Sequence, residues 1–332
     1  MNEASKIIIL TGHRKSGTSM FHRLFDNYPE INLYPVDISV LYAYFPYFTG
    51  NKDYSAKELR NRLKLILKTT LNSNNSNLNE NEINSIIYQV NKTLTDDKLK
   101  EKMAVIGAIK NAWTNINGKN NQSLPFMFKE TSQSIFFQEF KKDFPSIKMV
   151  SLIRDPRDNY AALKAGVDKY YSLFGESEKS TLASLINRVR VDFHSSKLNQ
   201  ILYPDSFLAI RFEDLVINPE NIMKKVTQFL DLPFKESLLT PTISGKPYLG
   251  NSHDGKIFNG ISNQNLGQWN KRISDEEAMI IEYWLKDLME YWGYPIKFDP
   301  ISSQTAFSKY YEWYNCQYFY HDSFSIKNNV RI

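Results

Sequence analysis

The chain has 332 residues, 42% of them hydrophobic and 23% charged, with a formal net charge of +5. Those proportions belong to a globular protein with a core and exclude a fibrous or compositionally disordered chain. Lysine and arginine are spread along the sequence, which argues for a small polyanionic ligand or acidic substrate and against nucleic acid.

The single cysteine, Cys316, excludes an intrachain disulfide framework. No run is long and apolar enough to span a membrane, and no leader precedes the first apolar segment, so a cytoplasmic location is expected.

Residues 7–10 form an apolar run that reads as a short buried strand. It leads into Gly12-His13-Arg14-Lys15-Ser16-Gly17-Thr18-Ser19, after which Phe21, Leu24 and Phe25 recur at helical spacing. A strand, a glycine loop and a helix start make a phosphate cradle, because backbone N–H groups and the helix dipole face the anion. Lys15 adds a full charge. The two glycines have the separation of a Walker A loop, but the lysine precedes Gly17 by two residues instead of following it. The loop is therefore P-loop-like in shape and not a Walker A loop in detail; a plain Gly/Ser turn is the simpler alternative.

Pro29 and Pro35 bracket a predicted strand over 30–34, and Asp37 follows it. A carboxylate just past a strand end is where an α/β sheet presents ligand groups, and Asp37 would equally cap a helix over 38–45. Leu59, Leu63, Ile66, Leu67 and Leu71 fall at helical spacing, an Asn/Ser-rich linker covers 72–81, and helical patterns resume over 83–94 and 103–113. This block, about 52–122, reads as a helical insertion over a sheet, either a lid on an acceptor site or a structural layer.

Further strands are expected at 126–128, 148–153 and 207–211, alternating with helices over 132–143 and 179–200. After the strand at 148–153 come Arg154-Asp155-Pro156-Arg157-Asp158, with Asp155 as N-cap and Pro156 at the first helical position. Arg154 and Arg157 at that strand end form a second anion site, or else bridge to Asp155 and Asp158. Asn218-Pro219-Glu220 opens another helix. Residues 240–272 carry five glycines and little periodicity, the mark of a functional or disordered loop. Ser274 and Glu277 form a capping box for a helix ending at Gly293. The aromatic tail, 301–332, should pack on its own domain or on a second subunit, which leaves a homodimer open.

The alternation of strands and helices predicts an α/β fold: three αβα layers around a central parallel sheet, P-loop NTPase-like, in one domain over 1–300.

Four stretches, in order, resemble one family, the sulfotransferases that use 3'-phosphoadenosine-5'-phosphosulfate (PAPS). Lys15-Ser16-Gly17-Thr18-Ser19 is similar to their 5'-phosphosulfate loop. Phe144-Pro145 through Arg154-Asp155-Pro156-Arg157-Asp158 is similar to their 3'-phosphate segment. Phe212-Glu213-Asp214-Leu215 with Asn218-Pro219-Glu220, and Leu266-Gly267-Gln268-Trp269-Asn270-Lys271, match two later segments, and Trp292-Gly293-Tyr294 also fits. The insertion and the tail lie outside the resemblance.

The resemblance implies sulfuryl transfer from PAPS to a hydroxyl or amine acceptor, a carbohydrate or small molecule, with PAP as the product nucleotide and no metal. The implied cofactor-binding set is Arg14, Lys15, Ser16, Gly17, Thr18, Ser19, Arg154, Arg157, Ser262, Trp269 and Lys271. Lys15 would neutralise the leaving 5'-phosphate and Trp269 would pack near adenine. The general base lies among Asp37, Glu130 and His253, since the family's frequent histidine has no counterpart after the strand at 126–128, where Gln133 stands nearby. The serine that commonly follows the 3'-phosphate arginine by eight residues is replaced by Ala162, leaving Ser252, Ser262, Lys256 and Arg157 as substitutes. Two alternatives stand beside this reading: a P-loop kinase or NTPase, which would need a lysine after Gly17, and a non-catalytic nucleotide-binding relative.

Overall fold

A computed structural model describes residues 6–44, 54–73, 76–117, 123–250, 253, 255–258 and 260–314. The elements run β1 (Ile7–Gly12), α1 (Thr18–Arg23), β2 (Asn32–Asp37), α2 (Ala56–Leu71), α3 (Glu80–Thr93), α4 (Lys102–Ile116), β3 (Phe126–Lys129), α5 (Phe137–Asp143), β4 (Lys148–Ile153), α6 (Pro156–Lys164), α7 (Glu178–Leu202), β5 (Phe207–Arg211), α8 (Phe212–Ile217) and α9 (Pro219–Leu230). A small antiparallel pair follows, β6 (Thr242–Ile243) and β7 (Lys246–Pro247), then α10 (Trp269–Arg272), α11 (Asp275–Tyr291) and α12 (Pro300–Tyr314).

The five long strands form one parallel sheet in the order β2-β3-β1-β4-β5. Each strand is apolar on both faces, as a sheet covered by helices on both sides requires. The period of two divides those residues between two cores. Ile7, Ile9, Phe126, Phe128, Met149 and Phe207 pack with α2 to α7, α11 and α12. Ile8, Leu10, Met127, Val150, Leu152, Leu208 and Ile210 pack with α1, α8 and α9. This is the three-layer α/β architecture expected from the alternation.

Local details differ from the sequence expectation. The second strand spans Asn32–Asp37 and not 30–34. Pro35 stands inside it, where it cannot donate to the ladder, and the β2–β3 register shifts between Leu33 and Asp37. Asp37 ends that strand and caps no α-helix: Val40–Tyr44 is a 3-10 turn, and Phe45 lies outside the described residues. The helix expected over 132–143 is a 3-10 turn, Ser134–Phe136, followed by α5. The segment 240–272 contains β6, β7 and α10.

The insertion is anchored to β2. Trp113 Nε1 donates to the Leu33 carbonyl at 3.0 Å, and Asn32 Nδ2 donates to Thr114 Oγ1 at 2.7 Å. Part of the linker has structure, since Asn79 caps α3 in a reciprocal box with Glu82. In α12, Phe307 stacks on Tyr283 and Trp284 of α11 at 4.8 and 5.0 Å. Residues 315–332 of the aromatic tail lie outside the described residues.

Gly12 closes β1 at φ 149°, and a Cβ there would stand 2.5 Å from the Leu152 carbonyl oxygen of β4. Gly12→Ala is therefore expected to cost at least about 2 kcal/mol through backbone strain and overpacking. Urea unfolding checks this; a midpoint equal to that of the parent would show that the β1–β4 junction yields.

Candidate active site

The site lies at the C-terminal ends of β1 to β4. The chain leaves β1 toward β3 and β2 on one side and later crosses to β4 and β5 on the other, so a crevice opens at the end of β1. The loop from Gly12 to Ser19 fills that crevice. Lys15 adopts φ 65° and Gly17 φ 96°, and a Cβ on Gly17 would collide with the Phe212 ring at 2.4 Å. The loop is held from α6 and its N-terminal approach: Arg154 Nη1 donates to the Lys15 carbonyl at 2.6 Å and Asn159 Nδ2 to the Arg14 carbonyl at 2.8 Å.

Lys15, Gly17, Met20, Arg154, Ala162 and Ser262 line one cavity of about 110 Å³, together with Phe212, Tyr248, Gly250, His253 and Phe258. Arg154 is buried, which pushes its pKa below the usual arginine range against the pull of Asp158, Glu213 and Asp155. Its Nε has no hydrogen-bond partner within the protein. Two cations thus converge on this cavity, suited to a ligand with separated anionic groups.

A second cavity of 560 Å³ adjoins the first, with Tyr248 and Gly250 in both walls. Ser19, His22, Arg23, Asp37 and Lys129 line it, with Thr70 and Ser73 from α2 and the neighbouring linker. Lys129 Nζ lies 2.5 Å from Asp37 Oδ1 and donates to Ser19 Oγ at 3.2 Å, so it connects the carboxylate to the phosphate loop. Burial holds His22 well below the ordinary histidine value, hence neutral, and pushes Tyr248 up to about 12.

The three candidate bases fall in different surroundings. Asp37 faces the larger cavity with 43% of its side chain exposed. Glu130 is fully buried, and burial followed by the nearby Asp37 charge pushes its carboxyl up to about 7. It lines neither cavity. His253 lies in the smaller cavity, stacked on Tyr170 and 3.3 Å from the Tyr171 hydroxyl.

The other sequence candidates are dispersed. Arg14 makes a bidentate pair with Glu176 at 2.9 and 3.2 Å and lies over the Tyr171 ring. Ser16 turns its hydroxyl back to the His13 carbonyl, and Thr18 is buried at the head of α1. Arg157 takes the bridging alternative, with one partner changed: its guanidinium pairs with Asp155 at 2.7 Å and with Glu282 of α11, while Asp158 accepts the N–H groups of Gly267 and Trp269. Trp269 stacks on Arg157 and, with it, lines a separate recess of 310 Å³. Lys271 is an exposed residue of α10. Lys256 donates to Asn265 Oδ1, and Ser252 lies outside the described residues.

Sequence reasoning passed over Lys129, Asn159 and Arg23. Lys129 had a signal, since it follows an apolar strand as Asp37 does. Asn159 and Arg23 sit inside helices, where nothing in the local pattern tells a ligand from a surface residue.

A family model described as the sulfotransferase family matches residues 7–236, and the chain belongs to that family. Among solved structures, the sulfotransferase domain from the Synechococcus PCC 7002 olefin synthase superposes with a TM-score of 0.54 at 16% identity, covering 90% of this chain and 98% of that one. The sulfotransferase domain from the curacin biosynthetic pathway superposes with a TM-score of 0.56 at 17% identity, covering 88% and 99%. At such identity the likeness is one of fold. No curated protein matches the chain in sequence.

Glu130 supplies a pH test. Its carboxyl is raised from 4.5 to about 7, so the folded state binds more protons than the unfolded chain in that window. Stability contributed by this group therefore falls as pH rises through it. Glu130→Gln should flatten the curve of stability against pH there by up to about 1.4 kcal/mol per pH unit. Urea midpoints across the window check this, and equal slopes for both proteins would show that the carboxyl is not raised.

Proposed function

We propose that the chain transfers a sulfuryl group from PAPS to a hydroxyl or amine of a small acceptor, of carbohydrate or similar size. The observation that carries this reading is the pair of adjoining cavities, one with Lys15 and Arg154 in its wall and the other with Asp37 and Lys129. The buried Arg154 Nε without a protein partner and the glycine-dependent loop at Gly17 fit a nucleotide carrying phosphate at both ends.

Bound PAPS would supply the sulfuryl group and the leaving 5'-phosphate. Lys15 and the loop from Ser16 to Ser19 would hold that phosphate and offset the charge that grows on its bridging oxygen. Arg154 would pair with the 3'-phosphate, and Ser262, in the same wall, is the placed candidate for the role left by Ala162. Arg157, spent on Asp155 and Glu282, would act on this site by fixing α11 against α6. Asp37 would take the acceptor's proton, and Lys129 would hold Asp37 toward Ser19 and the transferred group. The larger cavity has the volume of a small-molecule site.

Lys15→Ala should retain the fold and lose transfer by on the order of a hundredfold or more. A variant as fast as the parent, in a labelled-PAPS screen of sugar and small hydroxyl acceptors, would remove Lys15 from the chemistry. Asp37→Asn should lose turnover yet bind PAP with parental affinity; undiminished turnover would take the base away from Asp37. Calorimetry with PAP and with ATP, no metal added, tests the nucleotide: tighter binding of ATP would favour a kinase or NTPase.

A further inference from the structure

The most unusual buried group at the site is Glu130. It directly follows β3 and points at backbone. Its Oε2 accepts the Ser39 N–H at 2.5 Å, and its Oε1 accepts the N–H of Thr131 at 2.9 Å. One carboxylate therefore joins the turn that leaves β2 to the turn that leaves β3.

That link matters because the β2 ladder is interrupted just before Asp37. Pro35 has no N–H to give, and regular pairing with β3 stops at Leu33 and resumes only at Asp37. Beyond Asp37 the chain is tied to β3 by the Ile38 N–H on the Lys129 carbonyl at 3.1 Å and by the Ser39–Glu130 bond. Ser39 adopts φ 51°, a left-handed conformation that a serine holds only when its surroundings fix it. The β3 exit is itself braced. Ser132, at φ 56°, donates its N–H to the Gly12 carbonyl at 3.1 Å and its hydroxyl to Asp192 of α7 at 2.7 Å. Glu130 thus ties the Ser39 backbone directly to this braced exit.

We propose that Glu130 is a positioning residue, whose ionised carboxylate locks the left-handed turn at Ser39 and thereby holds Asp37 beside Lys129, and whose protonation releases that turn. The inference rests on the sulfotransferase reading only in taking Asp37 as the base; the lock itself stands on the geometry. It gives Glu130 a role other than that of a proton acceptor for substrate, in keeping with its burial outside the walls of both cavities.

The charged and titratable groups around it are named by the packing. Asp37 comes from β2, Lys129 from β3, and Tyr42 from the 3-10 turn after Ser39. Arg188 of α7 acts on Tyr42, and the buried pair of His13 and Asp192 stands behind Ser132. Burial lowers the His13 pKa, with Asp192 opposing. Of these groups, Glu130 is the one raised to about 7, so the lock should open as pH falls through neutrality.

The test reads Ser39 by nuclear magnetic resonance on the full chain. In the parent, the Ser39 amide proton should lie far downfield at high pH and move upfield with a midpoint near 7, while the Ser39 Cα shift leaves its left-handed value over the same range. In Glu130→Gln, both signals should be independent of pH through neutrality and the Cα shift should sit away from the left-handed value. Glu130→Asp keeps the charge but shortens the reach, and should also lose the downfield amide. A left-handed Ser39 Cα shift in Glu130→Gln would overturn the proposal. Should that variant fail to fold, a Ser39 amide in the parent that ignores pH near 7 would overturn it as well. Titration of PAP into the parent separates the two readings: absent binding would count against the sulfotransferase assignment and leave the Ser39 result intact.

Discussion

Arg154 donates to the carbonyl of Lys15 across 2.6 Å, and the shape of the glycine loop after β1 depends on that bond. The donor is a buried cation, and a buried cation is stable only beside compensating charge. Three carboxylates surround it, but each spends its oxygens elsewhere. Asp155 pairs with Arg157, Asp158 accepts the N–H groups of Gly267 and Trp269, and Glu213 accepts the Asp155 N–H and the Tyr294 hydroxyl. Their field keeps Arg154 charged without capturing its whole guanidinium. The cation is thus left facing a cavity while one of its N–H groups shapes the loop opposite. The loop and Arg154 are one mechanical unit, although 139 residues separate Lys15 from Arg154.

The sheet makes this economy possible. Because β1 lies between β3 and β4, the exits of β1, β3 and β4 converge, and β2 adds its own exit beside β3. Each exit contributes one chemical element: the phosphate loop, Asp37, the Lys129–Glu130 pair and Arg154. The two carboxylates differ in their surroundings. Asp37 stands in an open cavity beside a lysine, whereas Glu130 is enclosed and bonded to backbone, and the charge of the first raises the pKa of the second. Neighbouring acids in such different surroundings suit different duties.

Much of this was legible in the sequence because it is local. The strand-loop-helix at 7–25, the cap at Asp155 and the apolar strands are set by residues within a few positions of one another. Arg157 was not legible: its partner Glu282 is 125 residues away, and the arginine looks equally suited to a phosphate or a carboxylate until α11 is placed. The second strand was misread because Pro29 and Pro35 looked like brackets, when Pro35 is an interruption that the bulge absorbs. The surroundings of Trp269 were not legible either. Its motif fixes the residue type, but the hydrogen bond from its N–H to Asp158 turns the ring over Arg157, into a recess apart from the cavity of Lys15.

Three residues other than glycine adopt left-handed backbone at these exits: Lys15 after β1, Ser39 after β2 and Ser132 after β3. Each carries strain of about 1–2 kcal/mol that only its neighbours can sustain. Each is held by a group from a different strand or helix: Arg154 for Lys15, Glu130 for Ser39, Asp192 and the Gly12 carbonyl for Ser132. Each brace ties one exit to a neighbouring segment at the sheet end. The wall formed by Tyr248, Gly250, His253, Phe258 and Ser262 belongs to the glycine-rich segment after β6 and β7. His253, Phe258 and Ser262 line the cavity of Lys15 and Arg154, whereas Asp37 and Lys129 face the adjoining one. The braced exits therefore fix the charged groups of both cavities, and the glycine-rich wall with the end of α2 shapes the space around them.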